Sequence, residues 1–123
     1  MAAPPDRWSR WLLERRDAGD ERQREVVLEH VEIFRDGVLA LAEPLDGATV
    51  LDVGTGDGLI GLAALQRVGP DGRVIFADIS EALLERARSA AGADDRAQSS
   101  CRGPRISRGS PTNRSMSPRR GRC

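Results

Sequence analysis

Thr49-Val50-Leu51-Asp52-Val53-Gly54-Thr55-Gly56-Asp57-Gly58 is the stretch on which the fold is decided. Its first half is a short, largely β-branched apolar run, and its second half alternates glycine with small polar residues. An apolar run of this length that stops at a glycine cluster predicts a buried strand entering a tight turn. Leu59, Ile60, Leu62, Ala63 and Leu65 follow as a mostly apolar helix, closed by the turn-forming Gly69-Pro70-Asp71-Gly72. Val74 to Asp78 reads as a second strand. Ser80 is a suitable N-cap, and Glu81 adds an acid to the first turn of a helix carrying Leu83, Leu84, Ala87 and Ala91.

Upstream, Val27, Val31, Phe34, Val38 and Leu41 recur at helical spacing and predict an amphipathic helix over 22–43, ended by Pro44 and Gly47. A shorter helix is expected around Trp8, Trp11 and Leu12, with both tryptophans in core or lid packing. The order helix, strand, helix, strand, helix implies βαβ crossovers and a parallel sheet. Ligands of such sheets sit at the carboxyl ends of the strands.

Composition divides the chain. All 19 acids fall in residues 1–95 with 11 Arg, a net −8, while 96–123 holds 8 Arg, no acid and a net +8. No Lys occurs anywhere. Beyond Ala97 the chain turns to Ser, Arg, Gly and Pro, a composition that cannot bury enough apolar surface to offset its ordering entropy. The expected organisation is therefore a helical segment over 1–21, a ligand-binding α/β domain over 22–97 and a disordered tail over 98–123. No run reaches the roughly 20 apolar residues of a membrane span, and the N-terminus lacks the layout of a signal peptide, so a cytoplasmic protein is expected. Cys101 and Cys123, with a single His30, indicate neither a disulfide framework nor a metal site, and read as incidental thiols. His30 lies off the apolar stripe and reads as a solvated residue.

A glycine turn between strand and helix lets a ligand approach the backbone closely. Without Lys there is no P-loop, which removes kinase and ATPase readings. A Gly-x-Gly-x-x-Gly pattern can be drawn only through Gly56, Gly58 and Gly61, beginning past the strand end, which is a weak match to a dinucleotide fingerprint.

The segment Val50 to Gly58 closely resembles motif I of class I S-adenosylmethionine-dependent methyltransferases, with Asp52 as the acid inside the strand end. The block Val74 to Asp78, then Ile79-Ser80-Glu81-Ala82-Leu83-Leu84, resembles that family's next motif, and Asp78 stands 20 positions after Gly58. The resemblance covers roughly residues 25–95. It implies an incomplete Rossmann-like, doubly wound parallel sheet and S-adenosylmethionine as cofactor. It further implies that the backbone of Gly54, Thr55 and Gly56, with Gly58 completing the turn, lies against the methionine and ribose, and that Asp52 organises the turn. Asp78 would accept from both ribose hydroxyls and Ile79 would pack on adenine. Asp57 is equally explained by turn formation, and Asp52 and Asp78 also admit a reading as turn caps. The expected reaction is methyl transfer to a small-molecule acceptor, with no catalytic residue assigned. A dinucleotide-binding oxidoreductase, or a non-enzymatic adaptor acting through its basic tail, are the alternatives.

The tail has two readings. As a basic arm it would meet acidic partners, although no aromatic residue is interleaved to stack on bases, and nucleic acid is not expected. As an out-of-frame translation it follows from GC-rich coding. Taking the neighbouring frame from Ser99 permits Phe-Val-Ser-Gly-Ala-Glu-Asp-Leu-Ala-Gly-Ile-Pro-Asp-Glu-Ser-Val-Asp-Val-Val, which resembles the family's next two blocks. The second reading is preferred here, and it makes the chain a frameshifted, catalytically inactive cofactor half with two strands.

Overall fold

The computed structural model describes residues 3–12, 14 and 21–101. Helix α1 (Arg7–Trp11) begins where the Asp6 carboxylate accepts from the amides of Trp8 and Ser9 at 2.8 and 2.9 Å, satisfying donors that a helix start leaves orphaned. Then come α2 (Glu21–Ala42), β1 (Thr49–Val53), α3 (Leu59–Leu65), β2 (Arg73–Ala77), α4 (Glu81–Ala91) and β3 (Ala97–Ser100). The strands form one sheet in the order β1-β2-β3. Both pairings are parallel, with Val53 opposite Ala77 and Ala77 opposite Ser100. This is the α/β arrangement expected, with three strands of a Rossmann-like sheet.

Helix α3 packs on β1 and β2, α4 packs on β2 and β3, and the two helices touch, so both cover one face of the sheet. Alternation along β2 sends Val74 and Phe76 into that layer. There they meet Ala64, Leu65 and Val68 from α3 and its C-terminal turn, Leu84 and Ala87 from α4, and Leu39 from α2. Each fully buried Leu, Val or Phe contributes about 1.5–3 kcal/mol relative to exposure. The opposite face is open, with Leu51 49% and Val53 59% exposed. Helix α3 lies so close to the sheet that a Cβ on Gly61 would stand 2.7 Å from Phe76 Cδ1 and 3.1 Å from Asp52 Oδ2.

Two expectations are corrected. The third strand falls where composition placed the start of a tail. Ala97-Gln98-Ser99-Ser100 has no apolar stripe, but a parallel ladder is built from main-chain groups. Val74 N donates to Arg96 O at 2.9 Å and Asp78 N donates to Ser100 O at 3.1 Å. Arg96, counted with the tail's positive charge, belongs to the fold. Its guanidinium pairs with Asp94 at 2.7 Å and donates to Gly69 O at 2.9 Å. The boundary between the acidic and basic parts therefore cuts through an ion pair.

Helix α2 shows what its period leaves open. The helix is present within one residue of its expected ends, but its apolar stripe is not interior: Phe34 is 63% and Leu41 91% exposed, and Leu39, outside the stripe, is the buried residue. Periodicity identifies a helix and leaves open what covers it. Cys101 is not a free thiol, against its reading as an incidental one. Residues 102–123, the remainder of the basic segment, lie outside the described residues. Among the described residues no helix is long and apolar enough to cross a membrane.

Candidate functional site

The turn after β1 is built by three glycines in the left-handed region, Gly54 at φ 71°, Gly56 at 60° and Gly58 at 97°. A residue with a Cβ would pay roughly 1–2 kcal/mol at each such position. At Gly58 there is also a steric reason, since a Cβ would press on Ala87 Cβ and Leu62 Cγ, both 3.1 Å away. At Gly54 and Gly56 an added Cβ would meet nothing within 4 Å. These two glycines face open space at the carboxyl ends of the strands.

Asp52 faces inward beneath this turn. Its Oδ2 accepts from the Thr55 hydroxyl at 2.6 Å and from the Gly61 amide at 2.9 Å. One carboxylate oxygen thus ties the turn to the first residues of α3, and Thr55 is buried over it. Asp78, at the end of β2, is half-buried and bridges two elements: Oδ2 accepts from Gly56 N and Oδ1 from Ser80 N, both at 2.8 Å. Ile79, next to it, is 70% exposed.

Four amides of the turn are committed internally. Gly54 N and Thr55 N both donate to Ala77 O, at 2.8 and 3.0 Å, and Gly58 N donates to Thr55 O at 3.0 Å. Gly56 N is held by Asp78. An anion-binding turn needs amides aimed outward at the ligand. This turn aims its amides at carbonyls and a carboxylate, so a phosphate arriving here would meet no free donor among these four groups and one negative charge. Asp57 is engaged within the structure as well.

The open space in front of Gly54 and Gly56 is a cavity of about 410 Å³, bounded also by Val53, Ala77, Asp78 and Ile79. Its size lies in the ordinary range of small-molecule sites, roughly 300–1,000 Å³. Among the described residues, Asp78 is the one titratable residue on its walls. The motif residues Gly54, Gly56, Asp78 and Ile79 therefore converge on one cavity, while Asp52, Thr55 and Gly58 build the turn from behind.

The rest of the wall was not legible from motifs. Trp8, Trp11 and Leu12 also line the cavity, and the tryptophans are 50% and 53% exposed rather than core residues. The Ser80 hydroxyl donates to Asp6 Oδ2 and accepts from Leu83 N at 3.2 Å, and Ala3 N donates to Glu85 Oε2 at 2.8 Å. Burial acts to raise the Asp6 carboxyl. The Ser80 hydroxyl, the amides of Ser9 and Trp8 and the nearby Arg10 outweigh it and hold the group below its ordinary value. Aspartate at the start of a short helix was the available signal, but its partner is 74 positions away. His30 is exposed on α2 with its ring against Val26 O and has no part in the site. Among the described residues no cluster of His, Cys, Asp and Glu could hold a metal.

A parallel sheet whose first strand ends in this glycine turn, with an acid at the end of the second, is the arrangement of a Rossmann-like fold. Residues 44–100 match a family described as a methyltransferase domain. The chain is 42% identical over 67 residues to nocamycin O-methyltransferase of Saccharothrix syringae, covering 52% of this chain and 24% of that protein. It is 45% identical over 49 residues to arsenite methyltransferase of Halobacterium salinarum, covering 40% of this chain and 12% of that protein. The matched segment is similar to methyltransferase domains. The match spans about a quarter or less of each relative's length.

Proposed function

We propose that this chain binds S-adenosylmethionine in the cavity before Gly54 and Gly56 and forms the cofactor-binding part of an enzyme that methylates a small molecule. The observation that carries the reading is the inward commitment of the turn amides beside an acid at the end of β2. S-adenosylmethionine has no phosphate, so it needs no outward amides, and its ribose diol needs an acceptor. Each oxygen of Asp78 uses one lone pair on the protein and keeps another. Both ribose hydroxyls can donate there without breaking either backbone bond. The exposed Ile79 offers an apolar surface to the purine, and Asp52 keeps the turn in shape without touching the ligand. A pyrophosphate-bearing nicotinamide cofactor fits worse, because its charge would face Asp78 with no donor to offset it.

The cofactor supplies an electrophilic methyl group on sulfonium. What the chain's residues contribute is alignment, by fixing the ribose at Asp78 and leaving the backbone at Gly54 and Gly56 open. Among the described residues, Asp78 is the one titratable group on the cavity walls, and no residue is assigned to binding or deprotonating an acceptor; this chain alone is read as inactive. The names of the two relatives, one a natural-product O-methyltransferase and one an arsenite methyltransferase, support a small acceptor rather than a macromolecule.

Calorimetric titration with S-adenosylhomocysteine and, separately, NAD(H) tests the proposal. Binding of S-adenosylhomocysteine that Asp78→Ala weakens is the expected result. Binding of NAD(H) with none of S-adenosylhomocysteine would move the chain to the oxidoreductases.

A further inference from the structure

A continuous run of hydrogen bonds joins the glycine turn to α1. Gly56 N donates to Asp78, Ser80 N donates to the same carboxylate, the Ser80 hydroxyl donates to Asp6, and Asp6 caps the helix that carries Trp8 and Trp11. Both tryptophans border the cavity together with Gly54 and Gly56. Their exposure points to a ligand rather than to packing. Half of each indole surface is open, although indole is among the largest apolar groups a chain can bury. A purely structural helix would turn that surface into the core.

We propose that α1 is an aromatic wall of the cofactor site, that Trp8 and Trp11 pack against the bound adenosyl cofactor, and that Asp6 is a positioning residue holding the wall through Ser80. Arg7 lies over Trp8, 5.6 Å from the ring centroid, and steadies that indole from outside. The wall completes the site: Asp78 fixes the ribose by hydrogen bonds, and the indoles supply apolar contact on a sheet face that is otherwise open. Because Ser80 is bonded to both Asp78 and Asp6, the ribose acceptor and the wall share one anchor. This inference rests on the cofactor reading given above.

Trp8 and Trp11 are the whole tryptophan content of the chain, so indole emission reports on the wall alone. The test titrates the full chain with S-adenosylhomocysteine, following emission and heat in parallel, for wild type, Trp11→Ala, Asp6→Ala and Asp6→Asn. Expected are a change in emission on binding and about tenfold weaker binding for Trp11→Ala, the scale of one aromatic stacking contact. Asp6→Ala weakens binding about threefold or more, because the wall loses its anchor and its cap. Asp6→Asn falls between wild type and Asp6→Ala, since its one amide oxygen still caps α1 while its NH2 stands where Oδ2 accepts from Ser80. Trp11 is half-exposed, so its variant keeps the fold, which far-UV circular dichroism checks. Heat of binding without any emission change, and with wild-type affinity in Trp11→Ala and Asp6→Ala, would overturn the wall and leave the cofactor reading standing. No heat in the wild type overturns both.

Discussion

Gly61→Ala sets two effects of opposite sign against each other. Gly61 lies inside α3, where replacing glycine by alanine ordinarily stabilises a helix by about 1 kcal/mol. Here the added Cβ would stand 2.7 Å from Phe76 Cδ1, well inside van der Waals contact. Phe76 is 2% exposed and has no free space to retreat into, and Asp52 Oδ2 closes the third side at 3.1 Å. Helix α3 must lift from the sheet, which strains the Gly61 N to Asp52 bond. Overpacking of this kind costs about 1–3 kcal/mol, and against the gain of about 1 kcal/mol the net change is a loss of up to about 2 kcal/mol. Urea denaturation followed by circular dichroism should show the midpoint falling by up to about 1 M at the slope of a small domain. Adding Phe76→Leu removes the obstructing ring, and the double variant should lose less than the two single losses combined, with a coupling of about 1 kcal/mol. A midpoint that rises in Gly61→Ala would refute the reasoning, since it would mean that helix propensity, and not the contact with Phe76, governs the position.

The two substitutions at Asp52 should separate geometry from charge. Both of its bonds go to Oδ2, so Asp52→Asn can keep both and lose about 1 kcal/mol, whereas Asp52→Ala strands the Gly61 amide and the buried Thr55 hydroxyl and loses about 2–3 kcal/mol; equal midpoints in urea for the two variants would contradict this. Acid should weaken the fold from two places. Asp94 is held below its ordinary value first by its side-chain bond to Arg96 and then by the Arg96 amide, and Asp6 is lowered as described. A carboxyl whose folded value is depressed contributes stability above about pH 4 that is lost as pH falls through the lower folded value. Thermal midpoints measured from pH 5 to pH 2.5 should fall, and fall less steeply in Asp94→Asn; a flat profile would count against both groups. For the basic segment, resequencing codons 90–123 should reveal a neighbouring frame with an Asp-Leu block and a Val-Asp-Val-Val strand. A confirmed frame without them would favour a genuine basic arm.

What the sequence made legible was local. The strand before Gly54, the turn itself, the strand ending near Asp78 and the Ser80 cap each follow from a few adjacent residues, and each is found within one residue of its expected place. Strand β3 was hidden because its pairing uses main-chain groups that composition does not register. The period of 3.6 in α2 reports that a helix has an apolar side and says nothing about what lies against it. The convergence of Gly54, Gly56 and Asp78 on one cavity was foreseeable from motif spacing. The contribution of Asp6 was not, because it depends on a contact 74 positions away that only the folded chain brings together.

The bridging carboxylate of Asp78 has a thermodynamic consequence. It fastens the turn after β1 to the start of α4, so the group assigned to the ribose is also a clasp between two parts of the fold. Occupancy and folding then draw on one free-energy balance. A ligand at a hundred times its dissociation constant adds about 2.7 kcal/mol to a state that unfolded chains cannot share. For a sheet with one open face, that increment is a large part of the whole. Heat stability measured across a series of adenosyl compounds would rank them by affinity for this site.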